Sequence, residues 1–207
     1  MSADTINFNS DGLVPCVTQD ARTGEVLTLA YMNEEALRLS LEQGEIHFWS
    51  RSRQEIWHKG ETSGNTQRLV SLRYDCDGDA LIAMVDPAGP ACHTGERTCF
   101  YRDLEGATAD VAKPVVHEAI PTLERTLAAR RRERPEGSYT VELLEDPDLV
   151  GEKIREEAEE VVRAIAGESD ERVAEEAADV LYHLEVGLTS RGISIASALE
   201  VLNARRR

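Results

Sequence analysis

The stretch DCDGDALIAMVDPAGPACHTGERTC, Asp75 to Cys99, decides how the first half of the chain is read. Leu72, Tyr74 and Cys76 alternate onto one strand face, and Leu81, Ala83 and Val85 share a face of the next, so a β-hairpin is predicted. The same residues carry chemistry. Three of the chain's four cysteines, Cys76, Cys92 and Cys99, fall here. Asp75, Asp77 and Asp79 interleave with the first thiol, and His93 directly follows the second. Thiolates select a soft metal such as zinc, whereas clustered carboxylates select a hard cation such as magnesium. Three thiolates without an obvious fourth protein ligand leave a position open for water, as in catalytic zinc sites. The alternative reading is structural, with cysteines as small buried hydrophobes and Asp-Gly-Asp as a plain turn. The spacing is not that of a paired zinc knuckle.

Working outward, the residues before this stretch predict a mixture of strands and one helix. Strands are expected over Leu13–Val17, Glu25–Tyr31, Ile46–Trp49, Gln67–Asp75, Ala80–Val85 and Thr98–Tyr101. Asn33 can cap a helix running to about Gln43, with Gly44 ending it. Between strands lies SRSRQEIWHKGETSGNTQ, Ser50 to Gln67, read as a loop with Arg51, Arg53 and Lys59 among small polar residues and two glycines. Backbone N–H groups near glycines, with Arg and Lys nearby, suit a phosphate. A solvated surface loop is the alternative.

After Arg102 the composition shifts. Asp103–Lys113 is small and polar, Pro114 follows as a linker would have it, and no strand pattern appears beyond. Helices are predicted from Pro121 to Arg132, from a Ser138 cap to Leu144, from Asp146-Pro147 to Gly167, from an Asp170 cap to Ser190, and from Ser194 onward. Two apolar stripes repeat at helical spacing, Ile154, Ala158, Val161, Ile165 and Val173, Ala177, Val180, Leu184. Glu157 and Glu160 flank the first stripe, Glu176 and Asp179 hold the same places beside the second, and Glu156 lies slightly farther round. In an antiparallel pair these carboxylates converge, and converging acids call for a cation. Solvated surface acids are the alternative here. A di-iron bundle would want Glu-x-x-His pairs, and His183 stands outside that spacing. Lys153, Arg155 and Arg130 to Arg132 are candidate phosphate contacts.

The chain has 207 residues, enough for one large or two small domains, and 41% of them are hydrophobic, enough for a real core. Its formal net charge is −16 and both halves are acidic, which argues against nucleic acid as a partner. A phosphorylated substrate would need divalent cations or locally concentrated basic residues. MSADTINFNSDG lacks the basic start and apolar run of a signal peptide, and no apolar run reaches bilayer length. A cytoplasmic protein with reduced thiols or metal-ligating cysteines, and no membrane partner, is expected.

The motifs TGEVLTLAYMNEEAL (Thr23–Leu37), SRSRQEIWHKGETSGN (Ser50–Asn65), DCDGDAL (Asp75–Leu81) and ACHTGERTCF (Ala91–Phe100) resemble phosphoribosyl-AMP cyclohydrolase. PEGSYTVELL (Pro135–Leu144), KIREEAEEV (Lys153–Val161) and EEAADVLYHL (Glu175–Leu184) resemble phosphoribosyl-ATP pyrophosphohydrolase. The order is that of the bifunctional histidine-biosynthesis family. The resemblance implies an α+β N-terminal domain with a zinc site, residues 1–112, followed by an all-α helical-bundle domain, residues 113–207. It implies zinc on Cys76, Cys92 and Cys99, shared between the subunits of a homodimer, and magnesium on Asp75, Asp77 and Asp79. In the second domain it implies magnesium on Glu156, Glu157, Glu160, Glu176 and Asp179, with Glu157 and Glu160 catalytic. Substrate contacts fall on Arg51, Ser52, Arg53, Trp57, Lys59, Gly60, Glu61, Thr62, Ser63 and Lys153, and His93 becomes a proton shuttle or an orienting neighbour. Cys16 lies outside these motifs and is read as structural; Thr98 replaces a serine common before the last zinc cysteine. The implied chemistry is release of pyrophosphate from phosphoribosyl-ATP, then hydrolytic opening of the adenine ring between N1 and C6. The competing readings are a nucleoside triphosphate pyrophosphatase with a non-catalytic zinc-binding dimerisation domain, and an adenine deaminase, whose H-x-E and P-C-x-x-C strings are absent.

Overall fold

The computed structural model describes residues 5–102 and 115–206. The chain divides into two compact units, Met1–Pro114 and Val115–Arg207. The linker read over Asp103–Lys113 with Pro114, and with it the boundary after residue 112, lies outside the described residues.

In the first unit, β1 (Val14–Asp20) and β2 (Val26–Met32) form an antiparallel hairpin. β1 alternates in the way its sequence predicts, with Val14, Cys16, Thr18 and Asp20 buried and the residues between half-buried. Asn33 then accepts the Ala36 N–H at 2.8 Å to start α1 (Glu34–Gln43), and Gly44, at φ 70°, ends it in the left-handed conformation. β5 (Gln67–Tyr74) and β6 (Leu81–Pro87) are the predicted hairpin, pairing Leu72 with Ala83 and Tyr74 with Leu81. A bulge between Leu69 and Ser71 turns Val70 out to solvent. β6 then lies parallel to β1, giving the sheet order β2-β1-β6-β5. One face of that sheet packs Val14, Cys16, Leu81, Ala83 and Val85 against Ala36 and Leu37 of α1 and against Ile46 and Phe48.

Two expectations for this unit change. Ser50–Gln67 is not all loop: β3 (His47–Ser50) pairs antiparallel with β4 (Glu55–His58) in a small second sheet. Gln54, at φ 56°, makes the tight turn between them, and without a glycine there the turn leaves no clear mark in the sequence. Thr98–Tyr101 is not a strand. Cys99 N–H donates once to the Leu27 carbonyl at 2.8 Å, but Thr98 Oγ1 bonds the Val26 carbonyl and accepts the Phe100 N–H, which breaks the ladder after one rung.

The second unit is helical throughout its described length. A 3₁₀ turn (Val116–Glu118) leads into α2 (Ala119–Glu133), followed by α3 (Tyr139–Glu145), α4 (Pro147–Gly167), α5 (Asp170–Ser190) and α6 (Ile195–Ala204). Asp146 caps α4 through the N–H groups of Asp148 and Leu149, both at 3.0 Å, with Pro147 in the first position. Ser169, rather than Asp170, caps α5 by accepting from Arg172 N–H. Only Glu168 and Ser169 separate α4 from α5, so the pair is an antiparallel hairpin. Leu127 of α2, Leu143 of α3, Val150 of α4 and Val186 of α5 form the core of this unit, with Leu123, Ile154 and Tyr182 packed around them.

The apolar stripes are rotated from their predicted position. Ile165 is 67% and Leu184 38% exposed, and Ala158 is exposed, while Ala164, Glu176, His183 and Val186 are buried. Glu176 is therefore buried on the α5 face instead of flanking the stripe, while Glu157 and Glu160 are half-buried and Asp179 and Glu156 stay exposed. Among the described residues no helix is long and apolar enough to cross a membrane.

Candidate active sites

In the first unit the site is a pocket of about 360 Å³ lined by Thr28, Trp57, Lys59, Gly60, Thr62, Ser63, Asn65, Pro90, Ala91, Cys92, His93, Gly95 and Cys99. The Ala91–Phe100 loop closes on itself, with Ala91 N–H donating to Arg97 O and Cys92 N–H to Glu96 O, both at 3.0 Å. Arg97 ties that loop to the sheet through Asp20 at 2.6 Å and Glu25 at 2.7 Å. Together these bonds hold Cys92 and Cys99 in one wall. Gly60 also lines the pocket, at φ 92°, where an added Cβ would sit 2.3 Å from the Asn65 carbonyl carbon, so this close approach requires glycine.

Each thiol has a hydroxyl neighbour. Thr94 donates to Cys92 Sγ at 3.1 Å, and a 3.3 Å hydrogen bond joins Thr28 Oγ1 and Cys99 Sγ. The Thr94 bond lowers the Cys92 pKa, whereas burial, opposed by the Thr28 bond, raises that of Cys99. Lys59 is only 5% exposed, and burial lowers its pKa against the raising influence of Cys99 and Cys92. Cys16 is fully buried in the sheet and its thiol is pushed up to about 12 by burial, as a structural cysteine should be.

The sequence-named residues divide. Trp57, Lys59, Gly60, Thr62, Ser63, Cys92, His93 and Cys99 meet in the pocket. Arg51 stacks over Tyr31, Arg53 pairs with Glu55 at 3.2 Å, and neither these two nor Ser52 and Glu61 line it. Cys76 is exposed and lies with the aspartates, whose carboxylates form a cluster at Asp75, Asp77 and Asp79. There the Asp77 and then the Asp75 charge push the Asp79 carboxyl up. Thr28, Asn65 and Thr94 are additions. All three stand in quoted motifs, Thr28 in TGEVLTLAYMNEEAL, Asn65 in SRSRQEIWHKGETSGN and Thr94 in ACHTGERTCF, which was the available signal, although no chemistry singled them out there.

In the helical unit, Glu157, Glu176 and Asp179 bring one carboxylate oxygen each within 4.8 Å of one another. Glu176 is 2% exposed, and burial raises its pKa against the opposing charge of Arg172, which forms an ion pair with it. Glu160 stands at the edge, bonded to Arg163 at 2.8 Å. Glu156 points away, paired with Lys153 at 2.6 Å. Arg172 and His183 are additions. His183 is buried, with Nδ1 2.9 Å from the Asp179 carbonyl and 3.8 Å from Glu157 Oε1, and its ring meets the edges of Tyr139 and Tyr182. The i, i+4 spacing of Arg172 and Glu176 was the available signal for the ion pair. Of the arginines named as phosphate contacts, Arg131 is spent on the Thr189 carbonyl at 2.9 Å and Arg132 on Glu133 at 2.8 Å.

Two family profiles divide the chain in the same way. One, described as Phosphoribosyl-AMP cyclohydrolase, matches residues 28–101, and another, described as Phosphoribosyl-ATP pyrophosphohydrolase, matches residues 120–206. Along its whole length the chain is similar to the histidine biosynthesis bifunctional protein HisIE of Bacillus subtilis, at 48% identity over 204 residues, 98% of this chain and 96% of the relative. The chain belongs to this bifunctional family. The protein of the same name from Halalkalibacterium halodurans is 47% identical, covering 100% of this chain and 98% of the relative. That of Thermus thermophilus is 46% identical, covering 100% and 95%. As a member of the bifunctional histidine-biosynthesis family, the chain is a metal-dependent hydrolase with two activities, and its cyclohydrolase and pyrophosphohydrolase halves each contain one of the sites described above.

Proposed function

We propose that the helical unit removes pyrophosphate from phosphoribosyl-ATP, and that the strand-rich unit opens the adenine ring of the product, phosphoribosyl-AMP, between N1 and C6. The observation that carries this reading is the presence of two ligand sets of opposite hardness, one per unit: the Cys92 and Cys99 thiols, and the Glu157, Glu176 and Asp179 carboxylates. Each set suits a different metal. Sulfur donors that receive hydroxyl hydrogen bonds fit zinc, and three converging carboxylates on a helical hairpin fit magnesium. Bound there, zinc supplies an activated water for ring opening and magnesium supplies charge neutralisation at the triphosphate.

The chain's own residues do the rest. Trp57 offers a face for the purine, and the Thr62 and Ser63 hydroxyls with the turn around Gly64 offer donors for a phosphate. His93, beside Cys92, is the candidate proton shuttle. In the helical unit, Glu157 and Glu160 are the candidate catalytic acids and Lys153 the candidate substrate cation. Asp75, Asp77 and Asp79 are a second candidate magnesium site in the strand unit.

We assign the active species as a homodimer. Two thiols are one short of the three-cysteine set, and Cys76 is exposed, away from the pocket of its own chain. A second copy presenting its Cys76 completes the set, and the exposed Val26, Leu29 and Ile82 on the open face of the sheet supply apolar surface for pairing. A cytoplasmic location agrees with four free cysteines.

Mass spectrometry of products from phosphoribosyl-ATP tests the assignment, with zinc and magnesium supplied. Wild-type protein is expected to yield pyrophosphate and the ring-opened formimino product. Cys99→Ser should accumulate phosphoribosyl-AMP, and Glu157→Gln should leave phosphoribosyl-ATP unconsumed. If either change abolished both steps in a folded protein, the two-site assignment would fall.

A further inference from the structure

We propose that Tyr139 is the base platform of the pyrophosphohydrolase site: its ring stacks on the purine of phosphoribosyl-ATP and sets the preference for that nucleotide over ATP. The inference rests on the reading of Glu157, Glu176 and Asp179 as the magnesium site of the helical unit. A nucleotide held there by its phosphates alone could not be told from any other triphosphate. Discrimination needs a contact that differs between the competing ligands, and here that contact is to the base.

Besides its histidines, the helical unit has two aromatic side chains, Tyr139 and Tyr182. Tyr182 is already used: its hydroxyl shares a 2.8 Å hydrogen bond with Thr140 Oγ1, and its ring packs on the core of the unit. Tyr139, the first residue of α3, stands outside that core and leaves 46% of its surface to solvent. Its distance from the acids is set by His183. That buried imidazole has Nδ1 3.8 Å from Glu157 Oε1 and 2.9 Å from the Asp179 carbonyl. Its ring meets the Tyr139 ring with centroids 6.4 Å apart and planes at 84°. His183 is thus a spacer between the carboxylates and the tyrosine. The two steps together are shorter than an extended nucleoside triphosphate, so phosphates held at the carboxylates leave the base within reach of Tyr139.

The substrate supplies the reason for a tyrosine. A ribosyl group on N1 turns N1 and the 6-amino group of adenine into an amidine, a stronger base than adenine itself. The ring of phosphoribosyl-ATP therefore takes up a proton, and with it a positive charge, more readily than that of ATP. A cation is drawn to the face of a tyrosine ring, whereas stacking alone tolerates any base. Stacking gives the hold and the charge gives the preference. The PEGSYTVELL motif, in which Tyr139 is the aromatic residue, gains a task from this.

Tyr139→Leu in the full-length protein, with magnesium supplied, tests this through three readouts. They are the kinetics of pyrophosphate release from phosphoribosyl-ATP, competitive inhibition by ATP, and competitive inhibition by tripolyphosphate, which offers the site phosphates and no base. The expected result is a KM for phosphoribosyl-ATP raised about 10-fold or more, the range of one lost base–aromatic stack, with kcat near wild type. Inhibition by ATP should weaken less, and inhibition by tripolyphosphate should not change. Tyr139→Phe keeps the ring and should keep the wild-type KM. Retained tripolyphosphate inhibition also shows that the acid site is folded; Tyr139→Gln is measured beside it in case the leucine variant unfolds. An unchanged KM would overturn the inference. So would a phenylalanine variant as impaired as the leucine one, which would assign the effect to the hydroxyl. Equal losses for ATP and phosphoribosyl-ATP would remove the preference. If tripolyphosphate inhibition fell in step with KM, Tyr139 would be acting through His183 on the carboxylates, and the platform would fall too. Glu157→Gln, measured in parallel, keeps the underlying reading separate: pyrophosphate release at the wild-type rate from that variant would sink the magnesium site whatever Tyr139→Leu does.

Discussion

Around the two pocket cysteines, small side chains outside the predicted ligand set do the positioning. Thr94 donates to Cys92 and holds the thiol below its ordinary pKa, which favours the thiolate that a metal needs. Thr94→Val should weaken zinc binding by about 10- to 100-fold, as loss of a ligand's supporting hydrogen bond generally does, measured by competition with a chelator. In the metal-free protein the same change should move Cys92 alkylation by iodoacetamide to higher pH. Gly60 acts by having no side chain at all. Gly60→Ala would drive a Cβ to 2.3 Å from the Asn65 backbone, in a conformation that alanine disfavours. Ring opening should fall sharply and the melting temperature of the strand unit should drop, while pyrophosphate release continues. Cys92, Cys99 and Lys59 were legible because their residue types are rare choices with a chemical reason. Thr28 lay inside a quoted motif, but its role did not show there, since a threonine in a strand is what any strand would use, and only the fold brings it to Cys99.

At the scale of elements, α5 shows how far periodicity can be trusted. Its caps and length follow from Ser169 and the apolar spacing, but its buried face includes Glu176, His183 and Glu185, which a hydrophobic pattern counts as surface. Glu176 is accounted for by the acid cluster. Glu185 is not: it is 1% exposed, neither carboxylate oxygen has a hydrogen-bond partner, and burial, reinforced by Glu124, raises its pKa from 4.5 to about 7. A raised carboxylate pKa means that the folded state holds the proton longer than the unfolded chain does. The contribution of Glu185 to the stability of the helical unit is therefore fullest below pH 4.5, is lost as pH climbs to about 7, and is flat beyond. The full cost is about 3 kcal/mol. Glu185→Leu should raise the melting temperature at pH 8 much more than at pH 5; equal gains at both would show that the carboxylate is already charged at pH 5. β4 was hidden for a different reason, because a four-residue strand after a turn made by Gln54 at φ 56° has too little sequence to alternate.

Taken whole, the molecule keeps its two chemistries in separately packed cores, one built on the sheet and one on the α4–α5 hairpin. Expressed as separate chains, 1–114 and 115–207 should each fold and each retain one activity, read as ring opening and pyrophosphate release with the respective substrates. Failure of either half to fold alone would show that its core needs the other. The change from alternating to helical spacing made the succession of a strand-rich part and a helical part readable. What the sequence did not reveal was the sheet order, in which β1 sits beside β6 with Cys16 opposite Leu81. That pairing has a consequence for how the protein is made. During synthesis β1 and β2 leave the ribosome first and can pair at once, yet β1 must wait for β6 before its other edge is covered. The helical unit, whose principal hairpin joins neighbours through a two-residue connection, has no such delay. The half that emerges first is thus the half that closes late, and until then its open strand edge is the part of the nascent chain most exposed to mispairing.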